Sequence, residues 1–288
     1  MTAPQARFYL ERAGHPFDPI QGAHDSYAAV LAGVRSTIPK GLKCHTIDRE
    51  SLPQMSFGED DLVVVVGQDG LVSNTAKYLD GQPILAVNPD PGAFDGVLLP
   101  FTPKDFAKAV RATVEGHTRT KSVTLARTEL ADGQTLLAFN DFFVGASSHV
   151  SARYTIRAGD DEEYQSSSGI IVSTGAGSSG WLQSVYRGAT GIVEALGGHV
   201  IPPPANGRFD WSEELLMFAV REPFPSRATG TSVVYGLIPP DSPLRITSHM
   251  APNGVIFSDG IESDFLPFNH GATATICIAP HKAELVVA

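Results

Sequence analysis

The sequence predicts an α/β, Rossmann-like domain with a parallel sheet over residues 1–102, followed by a β-rich, sandwich-like domain over 103–288. Three observations carry this. Before Pro100, apolar runs alternate with helix-spaced segments, as in a parallel sheet. From Ser122 onward, short apolar runs follow one another with turn residues between them, the pattern of an all-β unit. In the stretch DLVVVVGQDGL, Asp61–Leu71, a β-branched run buried on both faces passes straight into a glycine-rich turn.

In chain order, Arg7–Leu10 reads as a first strand and Glu11–Ile20 as a Gly/Pro-containing loop. Ser26–Val34 has helical spacing, with Tyr27, Val30, Leu31 and Val34 on one side. Leu42–Ile47 is a second strand, Leu62–Val66 a third, Leu71–Leu79 a helix and Pro83–Val87 a fourth strand. Phe106–Val114 is a helix, and the domain boundary falls near Pro100–Pro103. Strands are then expected at 123–127, 135–144, 152–157, 169–173, 215–221, 231–237, 244–248, 255–258, 272–278 and 283–287. A helix from about Ser178 to Leu196 interrupts them, and a loop at 197–207 carries three consecutive prolines.

Composition narrows the function. A net charge of −10 and a pI near 5.3 argue against a nucleic-acid footprint, which needs a basic face, but not against an anionic small molecule. Cys44 and Cys277 have no metal-type spacing and imply no disulfide framework; both are expected as buried small hydrophobes. The opening MTAPQARFYL lacks a signal pattern and no apolar run is long enough for a membrane span, which predicts a soluble, cytoplasmic protein. The nine histidines are dispersed, no pair has metal-ligand spacing, and there is no G-x-S-x-G elbow. Zinc hydrolysis and a serine triad are therefore set aside, and no protein metal ligand is expected.

Five polar stretches carry the candidate chemistry or border it. Gly67, Gln68, Asp69 and Gly70 follow the buried strand, at the edge where open α/β sheets bind ligands. Glycines admit close backbone approach, and the helix that follows offers a positive dipole end to an anion. Asp69 is the one ionisable group there; alone, the turn reads equally as a strand–turn–helix whose Asp caps the helix. The turn at Asn88–Gly92 would lie at the same edge. In Ser166–Gly180 (SSSGIIVSTGAGSSG) a strand runs through Thr174, Gly175, Ala176 and Gly177 into a helix, a nest of N–H groups and hydroxyls suited to phosphate or ribose. Asn140–Asp141 breaks an apolar strand pattern, either as a bulge or as a binding pair. Asp259–Gly260 reads as a hairpin turn.

In this order and spacing the pieces resemble the NAD kinases. That family carries a Gly-Gly-Asp-Gly-Thr turn after a buried strand, an Asn-Glu pair, and a Thr-Pro-Thr-Gly-Ser-Thr-type turn opening a helix. The counterparts here are Gly67–Leu71, Asn140–Asp141 and Thr174–Ser179. The mitochondrial-type branch and its bacterial relatives look nearest, through Asn88–Pro91, Ser167–Gly169, Trp181, Arg221–Pro223 and Asp259–Gly260. The likeness runs from about Leu62 to the C-terminus. It implies an α/β domain and a β-rich domain with NAD between them. It also implies phosphorylation of the adenosine ribose 2′-hydroxyl of NAD to give NADP, using ATP or polyphosphate with Mg²⁺, in a homodimer or homotetramer. By the family pattern Asp69 is catalytic. Asn140 and Asp141 hold adenosine, and Ser179, Gly180 and Ser184 fall at adenine, ribose and phosphate. Gly67, Gln68, Gly70, Asn88, Thr174, Ala176 and Gly177 complete the nucleotide-binding set.

The chain departs from that pattern at Gln68, where a second glycine is usual, at Leu71, where a threonine is, and at Asp141, one methylene shorter than glutamate. A side chain at 68 would adopt φ > 0 less readily than glycine. Gln68 and Leu71 leave open a kinase-derived NAD(P)-binding protein without transfer, and the Gly-Asp-Gly turn, shared more widely in the superfamily, leaves open a kinase for another hydroxyl acceptor, a lipid or a sugar.

Overall fold

The computed structural model describes residues 2–201 and 204–288. Pro202 and Pro203 of the loop expected at 197–207 lie outside them. The chain opens with two helices, α1 (Ala3–Arg12) and α2 (Asp18–Ser36). α1 replaces the strand expected at Arg7–Leu10. Proline stands at its start, and the Thr2 amide donates to Gln5 Oε1 at 2.9 Å in a capping box. Arg7 pairs with Glu11 one turn on, at 3.3 Å. These local signals outweigh the β preference of Phe8 and Tyr9, whose side chains are exposed. α2 begins inside the expected loop, and its second half is the helix expected at Ser26–Val34.

Next come β1 (Val63–Val66), α3 (Asp69–Ala76), β2 (Pro83–Val87) and α4 (Phe106–Val114), close to their sequence-read bounds. β1 and β2 pair in parallel. Ile84 and Ala86 pack with Val72 and Ala76 of α3, while Leu85 and Val87 pack with Val34 of α2 and Phe106 and Val110 of α4. Burial on both faces is why β2 is apolar throughout; β1 ends the sheet order and, against the expectation of a fully buried strand, its Val64 is exposed.

The rest of the chain gives β3 (Arg119–Leu130), β4 (Thr135–Ala138), β5 (Asp141–Ala146), β6 (Ala152–Ala158), β7 (Asp161–Ser167) and β8 (Ile170–Ser173). Helix α5 (Trp181–Ala195) precedes β9 (Leu216–Val220), β10 (Tyr235–Ile238), β11 (Leu244–Ser248), β12 (Gly254–Ser258), β13 (Ile261–Pro267) and β14 (Thr273–Val287). Six strands form an antiparallel sheet in the order β10-β9-β8-β5-β12-β13. The other sheet runs β1-β2-β14-β11-β6-β7, with β3 on β14 and β4 on β3. Tyr154, Ile156, Ile246 and Ile276 of this mixed sheet meet Phe142, Val172, Phe218 and Ile256 of the antiparallel one in a single core. The fold is therefore a parallel layer with helices, joined to a second, antiparallel sheet.

Several expectations are corrected. Leu42–Ile47 forms no strand, and residues 42–46 are exposed. The slot beside β2 is filled instead by β14, which pairs with it in parallel, Glu284 opposite Pro83. A C-terminal strand completing an N-terminal layer is invisible to local pattern. The run 135–144 is two strands, because the chain changes sheets at Phe139–Asn140. The runs 272–278 and 283–287 are one strand with a bulge between Ile278 and Lys282. β7 and β13, DEEYQSS and IESDFLP, are too polar to show the alternation that reveals a strand. Cys44 is exposed and Cys277 half-buried, so neither is a core hydrophobe. No helix among the described residues is long and apolar enough to cross a membrane.

Candidate functional site

The first turn leaves β1 at Gly67, whose amide donates to Val87 O at 3.3 Å and so ties it to the end of β2. Gln68 precedes α3 at φ −100°, ψ 165°. Any residue adopts that extended geometry, so the expected resistance of a side chain to φ > 0 does not arise. Asp69 opens α3 without capping it. Its Oδ1 accepts the Leu98 amide at 2.6 Å, which orients the half-buried carboxyl across the sheet edge. Leu98 is placed by Asn88, buried at the end of β2, whose Nδ2 donates to Phe94 O at 3.0 Å and whose Oδ1 accepts Asp90 N at 3.0 Å. Gly96 turns at φ +64° hard against that amide. The polar turn after β2 thus lies beside Asp69, and Asn88 spends its amide on the loop that presents Leu98. The hydroxyl of Tyr27 donates to Val66 O at 2.7 Å, anchoring α2 at the same edge.

The Asn140–Asp141 turn, second of the three family-like turns in chain order, interlocks with the third, Thr174–Gly177. The Thr174 amide donates to Asn140 O at 2.9 Å, and its hydroxyl to Phe139 O at 2.6 Å. Gly177 passes so close that a Cβ there would lie 2.1 Å from Asn140 O, and one on Gly175 would lie 2.1 Å from Asp210 O. Gly177–Ser179 forms a single 3-10 turn, so α5 starts at Trp181 rather than Ser178. Ser179, Gly180 and Ser184 are exposed at its start, and the Ser184 hydroxyl donates to Gly180 O at 3.3 Å. Asp259 sits in the β12–β13 turn at φ +54°. Its carboxylate accepts the amides of Phe139 at 3.0 Å and Asn140 at 2.6 Å, with Asp141 at 3.4 Å. The hairpin was legible in sequence; the anion that caps the Asn140–Asp141 turn was not.

Asp141 is buried, and no group among the described residues donates a hydrogen bond to its carboxyl. Burial, and then the charge of Asp259, push it up to about 7. Burial also raises Asp259, against the pull of the Asn140 and Phe139 amides and of Lys77. For Asp141 the sign follows directly. The folded protein keeps a proton that the unfolded chain releases near 3.8, so this contribution to stability is fully present below 3.8 and is lost as pH rises to about 7. Asp141→Asn, which cannot ionise, is expected to remove that loss with rising pH. In thermal melts, the Tm advantage of the variant over wild type should grow from about pH 4 to about 7 and level off above.

The three turns border one apolar cluster. Leu71 and Val72 from the first, Phe139 beside the second and Ala176 of the third pack with Ala76, Leu79, Ile84 and Leu125. No protein-family model and no curated protein matches the chain. Solved structures do. Yeast NADH kinase complexed with NADH aligns over 91% of this chain and 80% of its own, with a TM-score of 0.63 at 16% identity. An NAD kinase from Archaeoglobus fulgidus in complex with ATP aligns over 78% and 77%, with a TM-score of 0.53 at 19% identity. The chain has the NAD kinase fold.

Within this NAD kinase fold, two features add to the sequence-read site. A cavity of 560 Å³ opens on the outer side of the antiparallel sheet, walled by Phe143, Trp181, Phe257 and Arg221. Trp181 stacks on Phe143 at 5.8 Å with the rings 6° from parallel, and Arg221 lies 5.4 Å from the indole. Phe143 stands two residues after Asp141 on β5, so both point to the same side of the sheet. The second feature is Lys77, just past α3. Its side chain is 2% exposed, and it donates to Ser258 Oγ at 2.9 Å and pairs with Asp264 at 3.3 Å. Sequence reading missed Lys77 because nothing local distinguishes a buried lysine from an exposed one. Among the described residues, no group of three or more His, Cys, Asp or Glu is arranged to hold a metal ion.

Proposed function

We propose that the chain is an NAD kinase that transfers a phosphoryl group to the adenosine ribose 2′-hydroxyl of NAD, giving NADP. The observation that carries this reading is the convergence of the Gly67–Gly70, Asn140–Asp141 and Thr174–Gly177 turns around one apolar cluster in an NAD kinase fold. Phosphoryl transfer asks mainly for alignment and charge stabilisation. Asp69 is held by one oxygen on Leu98 N–H, and its Oδ2 has no protein partner among the described residues. That oxygen is free to accept the hydroxyl proton. Asn140 and Asp141, Thr174 to Gly177, and exposed Ser179, Gly180 and Ser184 form the dinucleotide side. The flat-walled cavity at Trp181 and Phe143 suits a planar ring of the same ligand. Gly67, Gln68, Gly70 and the edge beside Asn88 form the donor side, for ATP or polyphosphate.

Mg²⁺ usually keeps several waters and binds largely through substrate phosphates; here it would ride on the donor phosphates, with Asp69 orienting the acceptor hydroxyl against that Mg²⁺-bound donor. When bound, the ion neutralises charge on the donor phosphates. The reading extends to a homodimer or homotetramer and to the mitochondrial-type branch.

One observation favours a second reading. A Leu71 methyl carbon lies 2.8 Å from where a Gly67 Cβ would stand, so an apolar side chain covers the glycine that would face donor phosphate. A dinucleotide-binding protein without transfer would tolerate that. The deciding experiment is NADP formation by the purified protein from NAD with Mg²⁺ and either ATP or polyphosphate, beside calorimetry with NAD and NADH. Turnover is the expected result. Tight dinucleotide binding without turnover from either donor would move the conclusion to the second reading.

A further inference from the structure

α3 is eight residues long, too short to hold itself rigid, and three of its buried side chains, Ser73, Asn74 and Thr75, are polar. Its direction is therefore set largely by what grips its ends. At the N-terminal end Asp69 Oδ1 takes the Leu98 amide. At the other end Lys77 reaches the β12–β13 hairpin: its ammonium meets Ser258 Oγ and Asp264 Oδ2, and the Tyr78 hydroxyl donates to the same Oδ2 at 2.7 Å. Ser258 directly precedes Asp259, whose carboxylate carries the amides of Phe139, Asn140 and Asp141. A continuous polar path thus joins the Asp69 turn to the Asn140–Asp141 turn through the length of α3.

An apolar side chain at 77 would fill the same space without the desolvation that a buried ammonium suffers, so stability is a poor reason for lysine here. What a hydrogen-bonded ion pair supplies and methylenes do not is direction. We propose that Lys77 is a positioning residue: anchored on Ser258 and Asp264, it fixes the Asp69 helix against the hairpin that carries Asp259, and so sets Asp69 at one offset from Asn140–Asp141. The catalytic consequence rests on the kinase reading above; the positional one does not.

The test compares wild type with Lys77→Met and Lys77→Arg. Two readings are taken: NADP formation, and hydrogen exchange at the Leu98 amide, whose protection depends on Asp69 holding its place. In Lys77→Met the Leu98 amide is expected to exchange about tenfold faster, with core amides of β5 unchanged. Turnover should fall about a hundredfold, as for a misplacement of order 1 Å, while KM for NAD stays within about threefold. Lys77→Arg, which keeps the cation, should recover most of both. Unchanged exchange and unchanged turnover in Lys77→Met would overturn the proposal, as would a rise in KM with kcat intact. If the wild type makes no NADP, the kinase reading fails on its own, and Leu98 exchange still decides: faster supports positioning, unchanged refutes it. Should Lys77→Met not fold, Asp264→Asn, which keeps the bond to Ser258, is read at the same amide with the same two outcomes.

Discussion

Asp69→Asn is expected to lower NADP formation by about 10²–10⁴-fold, the range general-base removal gives, without loosening the fold. The substitution is nearly isosteric. Asparagine keeps a carbonyl oxygen where Oδ1 now accepts the Leu98 amide at 2.6 Å, so the loop beside the turn stays pinned. What disappears is the charge and the ability of the second oxygen to take a proton. Thermal stability should therefore move by no more than an ordinary surface change, within about 0.5 kcal/mol. NAD affinity by calorimetry should hold, since the dinucleotide side is built from other elements. The measurement is the NADP formation rate for the two proteins at matched concentration. If Asp69→Asn kept more than about a tenth of the wild-type rate, the proton would be going elsewhere and the role assigned to Asp69 would fall.

How much of this was legible beforehand depended on how local the signal was. β2 and α4 announce themselves, because a strand buried on both faces and a helix with an apolar stripe write their environments into neighbouring residues, while β1 and α3 show through the apolar run and the glycine turn that joins them. The strand misread at Arg7–Leu10 was a competition between two local signals, and the capping box around Thr2 and Gln5 won. The strand misread at Leu42–Ile47 had a different cause. Its place in the parallel layer belongs to β14, and no window around residue 45 can register a partner arriving from the C-terminus. The site divides the same way. The glycine-rich turns are runs of adjacent residues and could be read. The Asp259 carboxylate under the Asn140 amide and the Lys77 ammonium on Asp264 are contacts across more than a hundred residues, visible only once the sheets are assembled.

The glycines of the third turn lead to the other large expected effect. Gly177→Ala should cost about 3 kcal/mol of stability, the upper range for overpacking, and abolish dinucleotide binding. The added methyl would stand 2.1 Å from Asn140 O and 2.8 Å from Ser173 Oγ. The carbonyl is backbone and cannot rotate aside, so either the turn or the link between β4 and β5 must shift. That carbonyl is also the acceptor for the Thr174 amide, and Asn140 N–H is the closest donor to Asp259, so a shift there loosens both bonds. Gly70→Ala is the matching control. Nothing lies within 4 Å of a Cβ on Gly70, and its φ is not positive, so α3 should gain about 0.5–1 kcal/mol from the loss of glycine. Its turnover should nevertheless fall, because the new methyl stands on the proposed donor side. Melts and NADP assays on the two variants then separate the roles: Gly177 loses stability and NAD together, whereas Gly70 loses turnover while its melting temperature holds or rises. A Gly177→Ala protein with wild-type melting and NAD affinity would mean that the Asn140 carbonyl and the third turn are not coupled as their spacing requires.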